Sequence, residues 1–212
     1  MSEKEDKNKK DSESQVLSRK ELSKRRFLTG ATAAVGTAGV SVLAVPFVKS
    51  LEPDAAAAAA SIVTVEISGI PPGGHLTTSW QQKPLIIVRR TPEMLATLSQ
   101  VTAMLKDPDN KVPQQPPYAQ NIYRSRKPEW LVMMQVCTHL CCSPSYDPEK
   151  GTVTPDWLGG FFCACHGSRY DLSGRVMHGS PAPANMVIPD YTFIDGDKSV
   201  QITGLEKKSK LC

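Results

Sequence analysis

Two short segments hold most of the reactive side chains: Cys137-Thr138-His139-Leu140-Cys141-Cys142, and Cys163-Ala164-Cys165-His166-Gly167-Ser168. Five of the chain's six cysteines lie in them. A Cys-x-His followed by a Cys-x-x-His offers two thiolates and two imidazoles, one of each from each segment. That donor set suits a metal centre, and the remaining cysteines could tie the two loops together. A structural zinc site takes the same mixed ligands at tetrahedral geometry. Cys-x-His is an unusual spacing for a zinc knuckle, however, and zinc leaves unexplained a cysteine three residues after His139 and another just before His166.

The two segments resemble the cluster-binding boxes of Rieske iron-sulfur proteins, Cys-Thr-His-Leu-Gly-Cys and Cys-Pro-Cys-His-Gly-Ser. The likeness extends to Ser168, Tyr170 and Gly179-Ser180-Pro181-Ala182-Pro183, covering roughly Trp130 to Thr203. It implies a [2Fe-2S] cluster, one per subunit, held by Cys137, His139, Cys163 and His166, and a disulfide between Cys142 and Cys165. It also implies that Ser168 and Tyr170 direct hydroxyls at the cluster sulfurs. Neutral imidazoles in place of two thiolates make such a cluster easier to reduce, and hydroxyl donors act in the same sense; Rieske centres in general lie at about −150 to +300 mV. Low-potential oxygenase relatives usually lack the disulfide and these hydroxyls, so the resemblance is to the quinol-oxidising branch, the Rieske subunits of cytochrome bc1 complexes. There a ligand histidine, here His166 with His139 also at the solvent edge, meets the quinol and carries its proton on the nitrogen that iron leaves free. The partners so implied are cytochrome b and cytochrome c1 in a dimeric complex. A Rieske subunit of another oxidoreductase, such as arsenite oxidase, and a structural zinc module are the rival readings.

The segments depart from the family pattern at two positions. Cys141 stands where the family has glycine, and Ala164 where it has proline. Cys141 and Cys142 could therefore compete for Cys165. Cys212, at the end of the chain, has no partner evident from the sequence.

These boxes need a scaffold and a location. With 212 residues, the chain accommodates one globular domain with appendages. Residues 1–26 carry nine basic and six acidic side chains, and the rest sixteen against fifteen. A nearly neutral head does not suggest nucleic-acid binding. Polar, lysine-rich residues up to Ser23 predict a solvated, irregular tail. Ser23-Lys24-Arg25-Arg26-Phe27-Leu28 resembles a twin-arginine export signal, with Lys24 in the first arginine place. Phe27 to Val48 is free of charge and long enough as a helix, roughly 33 Å, to cross a bilayer. Basic residues before this span put the N-terminus in the cytoplasm and the head in the periplasm of a bacterial inner membrane. A cleaved signal peptide is the competing reading, with Ala55 to Ala60 as its processing site.

The expected organisation is a tail at 1–26, a transmembrane helix at 27–48, a hinge at 49–61 and a mainly β, antiparallel head at 62–212, with an inserted cluster-binding subdomain at about 131–183. Strands are predicted at Ile62–Ile67, Leu85–Val88, Trp130–Val136, Gly159–Phe162, Val187–Phe193 and Ser199–Ile202. Thr91-Pro92 starts a helix running to about Leu105. Residues 113–128, rich in proline, read as an irregular surface excursion. His75 is placed in a loop and His178 outside the ligand set.

Overall fold

The computed structural model describes residues 2–50, 62–205 and 208–209. The alanine-rich hinge from Leu51 to Ala60, and Cys212, lie outside the described residues. The chain divides into two compact units, Met1–Ala55 and Ala56–Cys212.

The first unit is one helix, α1 (Ser2–Lys49), whose part Glu21–Lys49 contains an 18-residue stretch of mean hydropathy 1.8, long and apolar enough to cross a membrane. It is helical from Ser2, where an irregular tail was expected. No glycine or proline occurs before Gly30, and lysine and glutamate lose little rotamer freedom in a helix. Within the apolar part, Thr37 Oγ1 donates to the Ala33 carbonyl (2.7 Å) and Ser41 Oγ to the Thr37 carbonyl (2.9 Å). These bonds satisfy hydroxyls that a bilayer would leave without water.

The second unit is mainly β, with three antiparallel sheets of three strands each. In order along the chain these strands are β1 (Val63–Glu66), β2 (His75–Trp80), β3 (Lys83–Arg89), β4 (Trp130–Met134), β5 (Ser145–Asp147), β6 (Gly160–Cys163), β7 (Ser168–Asp171), β8 (Asp190–Ile194) and β9 (Ser199–Gly204). The sheet orders are β1-β9-β8, β2-β3-β4 and β5-β6-β7. The middle of the core is the β3–β4 pair, where Leu85, Ile86, Ile87 and Val88 face Met134 through Leu131. All eight are buried, which is why these strands read as unbroken apolar runs rather than alternating ones.

Helix α2 (Pro92–Gln100) begins as expected, with the Thr91 side chain accepting from Met94 N–H at 3.3 Å and proline at the first position. It stops at Gln100 rather than Leu105. A 3-10 turn (Thr102–Met104) takes over at the β-branched pair Val101-Thr102, residues that lower helix propensity.

Three further expectations need correction. His75 opens strand β2 and packs edge-on against Tyr146, with ring centroids 4.9 Å apart. Ser168 to Asp171 forms strand β7, where no strand was foreseen. The 113–128 stretch is irregular, apart from a 3-10 turn at Pro117–Ala119, but it is not a surface excursion. Gln114, Gln115, Ala119, Arg124 and Ser125 are buried in it, and their side chains donate mostly to backbone carbonyls, with Gln115 Oε1 accepting from Arg124 and Arg124 Nε left without a partner.

Candidate metal centre

Both cysteine-histidine segments are tight loops at the ends of strands. The second is the turn of the β6–β7 hairpin, in which Cys163 pairs with Ser168 and Phe161 with Tyr170. Gly167 N–H donates to the Cys163 carbonyl at 2.9 Å, and Gly167 has φ +77°, a conformation open mainly to glycine. Gly160 is required for a different reason: a Cβ there would run into the Tyr170 carbonyl oxygen of the paired strand. The first loop leaves β4 and closes on itself. Cys137 N–H donates to the Cys142 carbonyl (2.8 Å), and Cys141 N–H to the Cys137 carbonyl (3.1 Å). A disulfide joins Cys142 to Cys165 and so one loop to the other. Of the two adjacent cysteines that could have reached Cys165, Cys142 is the one that does.

Between the loops lie the four candidate ligands. Cys137 and Cys163 are free thiols and buried. The His139 and His166 rings are 4.7 Å apart, centroid to centroid. His166 is exposed, as are Leu140, Cys141 and Cys165. His139 Nδ1 is buried with no hydrogen-bond partner. A buried nitrogen left unbonded is costly in a folded protein, and a metal ion is the partner for which an imidazole lone pair beside two thiols is suited. This donor set therefore fits an iron-sulfur cluster with mixed thiolate and imidazole ligands. The sulfurs of Cys142, Cys163 and Cys165 also lie within 4.8 Å of one another, but the disulfide leaves that trio a single thiol.

Hydroxyls surround the sulfurs. Tyr170 is fully buried, its Oη 3.2 Å from Cys137 Sγ and accepting from Thr138 N–H at 3.2 Å. Burial, and next the neighbouring Cys137 sulfur, push the Tyr170 phenol well above its ordinary range, so it remains a donor. Burial opposes ionisation of Cys137, but hydrogen bonds from Tyr170, the His139 backbone, Cys163 and Ser168 outweigh it and lower that thiol. Cys163 moves the other way, raised by burial and then by its bond to Cys137. Two thiols this close cannot both ionise readily without a cation between them. Ser168 is buried and its Oγ accepts from Ala182 N–H (3.2 Å), tying the second loop to the 179–183 proline loop.

Three contributors were not visible in the sequence reading. Thr138 Oγ1 donates to the Ala184 carbonyl at 2.6 Å and so clamps the first loop to the proline loop; its place inside the first box was the available signal. Lys106 Nζ donates to the Ser180 (2.6 Å) and Ala182 (2.9 Å) carbonyls, and nothing in its sequence neighbourhood marks it. A group of buried arginines holds the turn after β7. Arg175 pairs with Asp171 at 2.7 Å. Arg90 donates to the Leu172 carbonyl and Ser173 Oγ, and Arg124 donates to the Ser173, Gly174 and Met186 carbonyls. His75 and His178 take no part.

Comparison with known proteins agrees with this geometry. Residues 102–192 match the Rieske [2Fe-2S] domain, and residues 17–54 match the family described as "Ubiquitinol-cytochrome C reductase Fe-S subunit TAT signal". The ubiquinol-cytochrome c reductase iron-sulfur subunit of Allochromatium vinosum is 49% identical over 175 residues, covering 81% of this chain and 84% of that protein. Its counterpart in Blastochloris viridis is 42% identical, covering 84% and 92%, and the mitochondrial cytochrome b-c1 complex subunit Rieske of Saccharomyces cerevisiae is 38% identical, covering 82% and 73%. Among solved structures, a hyperthermophilic respiratory Complex III chain aligns with a TM-score of 0.46 at 26% identity, over 80% of this chain and 95% of that one. With its paired cysteine-histidine loops, Cys142–Cys165 disulfide and buried sulfur-facing tyrosine, the chain belongs to the Rieske iron-sulfur subunits of ubiquinol-cytochrome c reductase, electron-transfer subunits that carry a [2Fe-2S] cluster.

Proposed function

We propose that Cys137 and Cys163 hold one iron of the cluster and His139 and His166 the other, and that the exposed loop tip takes electrons from a quinol. The observation that carries this is His139 Nδ1, buried without a partner beside two buried free thiols. When bound, the cluster supplies a one-electron acceptor and donor. The residues around it do the rest. His139, His166, Cys137 and Cys163 fix its position. Tyr170 donates to Cys137 Sγ. Ser168 braces the second loop against Ala182, and the Cys142–Cys165 disulfide prevents the loops from separating. His166, exposed at the tip, presents its remaining ring nitrogen to an approaching quinol and accepts the hydroxyl's proton there.

The membrane arrangement is part of the same reading. A single span within Glu21–Lys49 anchors the chain, preceded by the export signal at Ser23–Leu28. The N-terminus stays in the cytoplasm and residues 62–212 form a periplasmic head on a hinge at 49–61. Relatives named as subunits of the cytochrome b-c1 complex support cytochrome b and cytochrome c1 as partners, and in this reading the assembly is dimeric. An anchored head at 49% identity to a ubiquinol-cytochrome c reductase subunit favours this over an arsenite oxidase subunit or a zinc module.

Low-temperature EPR of reduced membranes, with and without a quinol-site inhibitor of bc1 complexes, tests the assignment. A Rieske-type signal that shifts with inhibitor is expected, and it should vanish in Cys163→Ser and His166→Ala. A signal indifferent to inhibitor would refute the quinol site; a signal retained in either variant would refute the ligand set.

A further inference from the structure

Ser168 Oγ accepts from Ala182 N–H at 3.2 Å, and Pro181-Ala182-Pro183 has no other backbone donor, because proline carries no N–H. A serine hydroxyl has one proton to give and two lone pairs to accept with. With the Ala182 N–H on one lone pair, the Ser168 proton has to point elsewhere. The Cys137 sulfur is its acceptor, since a hydrogen bond from Ser168 is among those that lower that thiol. The direction of this proton therefore depends on how the Ala182 N–H is held.

The peptide that carries the Ala182 N–H lies between the carbonyls of Ser180 and Ala182, and both of these accept from the Lys106 ammonium, at 2.6 Å and 2.9 Å. One charge thus clamps the peptides on either side of it. Lys106 itself has a fixed base. Its own N–H donates to the Val176 carbonyl (3.0 Å), His178 N–H donates to the Met104 carbonyl (2.7 Å), and Leu105 between them is buried. Ser180 adds a second fastening to the start of β7, its Oγ accepting from Arg169 N–H (3.0 Å) and donating to the Arg169 carbonyl (3.2 Å).

We propose that Lys106 is a positioning residue for the redox centre: its ammonium holds the Ser180 and Ala182 carbonyls so that the Ala182 N–H turns the Ser168 hydroxyl toward Cys137 Sγ, which keeps the cluster easily reduced. The inference rests on the ligand set proposed above. Bonds from an ammonium are stronger than those between neutral groups, so removing it frees the proline loop, and the Ser168 proton is no longer confined to the sulfur. A donor that strengthens as the sulfurs become more negative is then partly lost, which disfavours the reduced state.

The test is a redox titration of the purified complex, followed by EPR or circular dichroism, for the parent, Lys106→Met, Ser168→Ala and the double variant. Lys106→Met should make reduction about threefold less favourable, or ~30 mV at 59 mV per tenfold. In the Ser168→Ala background the same substitution should leave the potential where it is, because coupled residues are not additive. An equal shift in both backgrounds would overturn the inference, since the ammonium would then act as a charge through space. No shift in a Lys106→Met protein with the parental cluster content would overturn it as well. Where Lys106→Met assembles no cluster, Lys106→Gln, which keeps a neutral donor, replaces it: a smaller fall, again abolished by Ser168→Ala, is expected, and an equal fall in both backgrounds refutes the relay. A Rieske-type signal that survives in Cys163→Ser would overturn the ligand set itself, whereas the other adverse outcomes overturn only the role of Lys106.

Discussion

Tyr170→Phe separates the hydroxyl from everything else the tyrosine does. The ring stays opposite Phe161 in the β6–β7 register, so what is lost is the O–H that lies 3.2 Å from Cys137 Sγ. Hydrogen bonds to charged groups are worth ~1.5–3 kcal/mol. An electron added to a cluster makes its sulfurs more negative and deepens the bond, and only that deepening changes the potential. If it is a third to a half of the total, the reduced state loses ~0.5–1.5 kcal/mol on substitution. With 59 mV per tenfold change for one electron, the midpoint potential should fall by ~20–65 mV. The sign is set by the donor: removing it disfavours the electron-rich state. A redox titration of the purified complex followed by EPR or circular dichroism reads the shift directly. Because the phenol also accepts from Thr138 N–H in a partly buried bond, the variant should additionally be less stable, by ~0.5–1.5 kcal/mol. A potential that does not move, in a variant whose cluster is fully retained, would refute the idea that Tyr170 acts on the cluster through Cys137.

Gly160→Ala should cost ~3 kcal/mol or more, because backbone rather than a flexible side chain occupies the space its methyl needs; thermal unfolding of the head would show it, and a wild-type midpoint would contradict the β6–β7 packing. Lys106→Met removes the ammonium from the Ser180 and Ala182 carbonyls and should cost ~0.5–1.5 kcal/mol, with faster amide exchange at Ala182 than in the parent protein. Burial raises the phenol of Tyr146 from its ordinary 10 to about 12, and those of Tyr118 and Tyr170 further. These phenols stay protonated in the folded head at a pH where the unfolded chain ionises. The stability they confer is complete below pH 10 and is lost as pH rises through about 12. Unfolding temperature should fall over that window and fall less steeply in Tyr146→Phe.

How much of this was open to a reader of the sequence depended on whether the signal was local. The boxes, the charge-free span and the capped start of α2 each declare themselves within a few residues, through donor spacing, hydropathy length and a Thr-Pro pair. Strand β2 did not. It is joined to β3 by Gln81-Gln82, both with positive φ (49° and 61°), a two-residue hairpin turn of the kind that asparagine and glycine usually announce. Strand β7 was hidden because Ser168-Arg169-Tyr170-Asp171 has no alternation of apolar and polar residues; three of its four side chains are buried, two of them polar. The partial burial of residues 113–128 was equally invisible, since prolines and glutamines read as surface until partners distant in sequence, such as Ser173, Asn185 and Met186, are known.

Those distant partners show what positions the site. Tyr170 is one residue before Asp171, and the turn that follows is gripped by three guanidiniums from separate parts of the chain. Arg175 is bonded to Asp171, Arg90 comes from the end of β3, and Arg124 comes from the proline-rich stretch. Burial lowers Arg124 to about 9 and Arg90 to about 10, so both remain charged at neutral pH, and the carbonyls they bind are fixed by charge-assisted bonds. Three cations around one carboxylate are an expensive way to hold a turn. The same carbonyls could have been satisfied by a plain hairpin ladder. What the cations add is direction, because each guanidinium binds several acceptors in a fixed fork, and together they tie the end of β3, residues 113–128, Leu98 and Met186 to the foot of β7. The hydroxyl that faces Cys137 is thus set from behind the sheet, and the loops at the other end of the hairpin are left free to remain exposed at their tip, where a redox partner has to reach them.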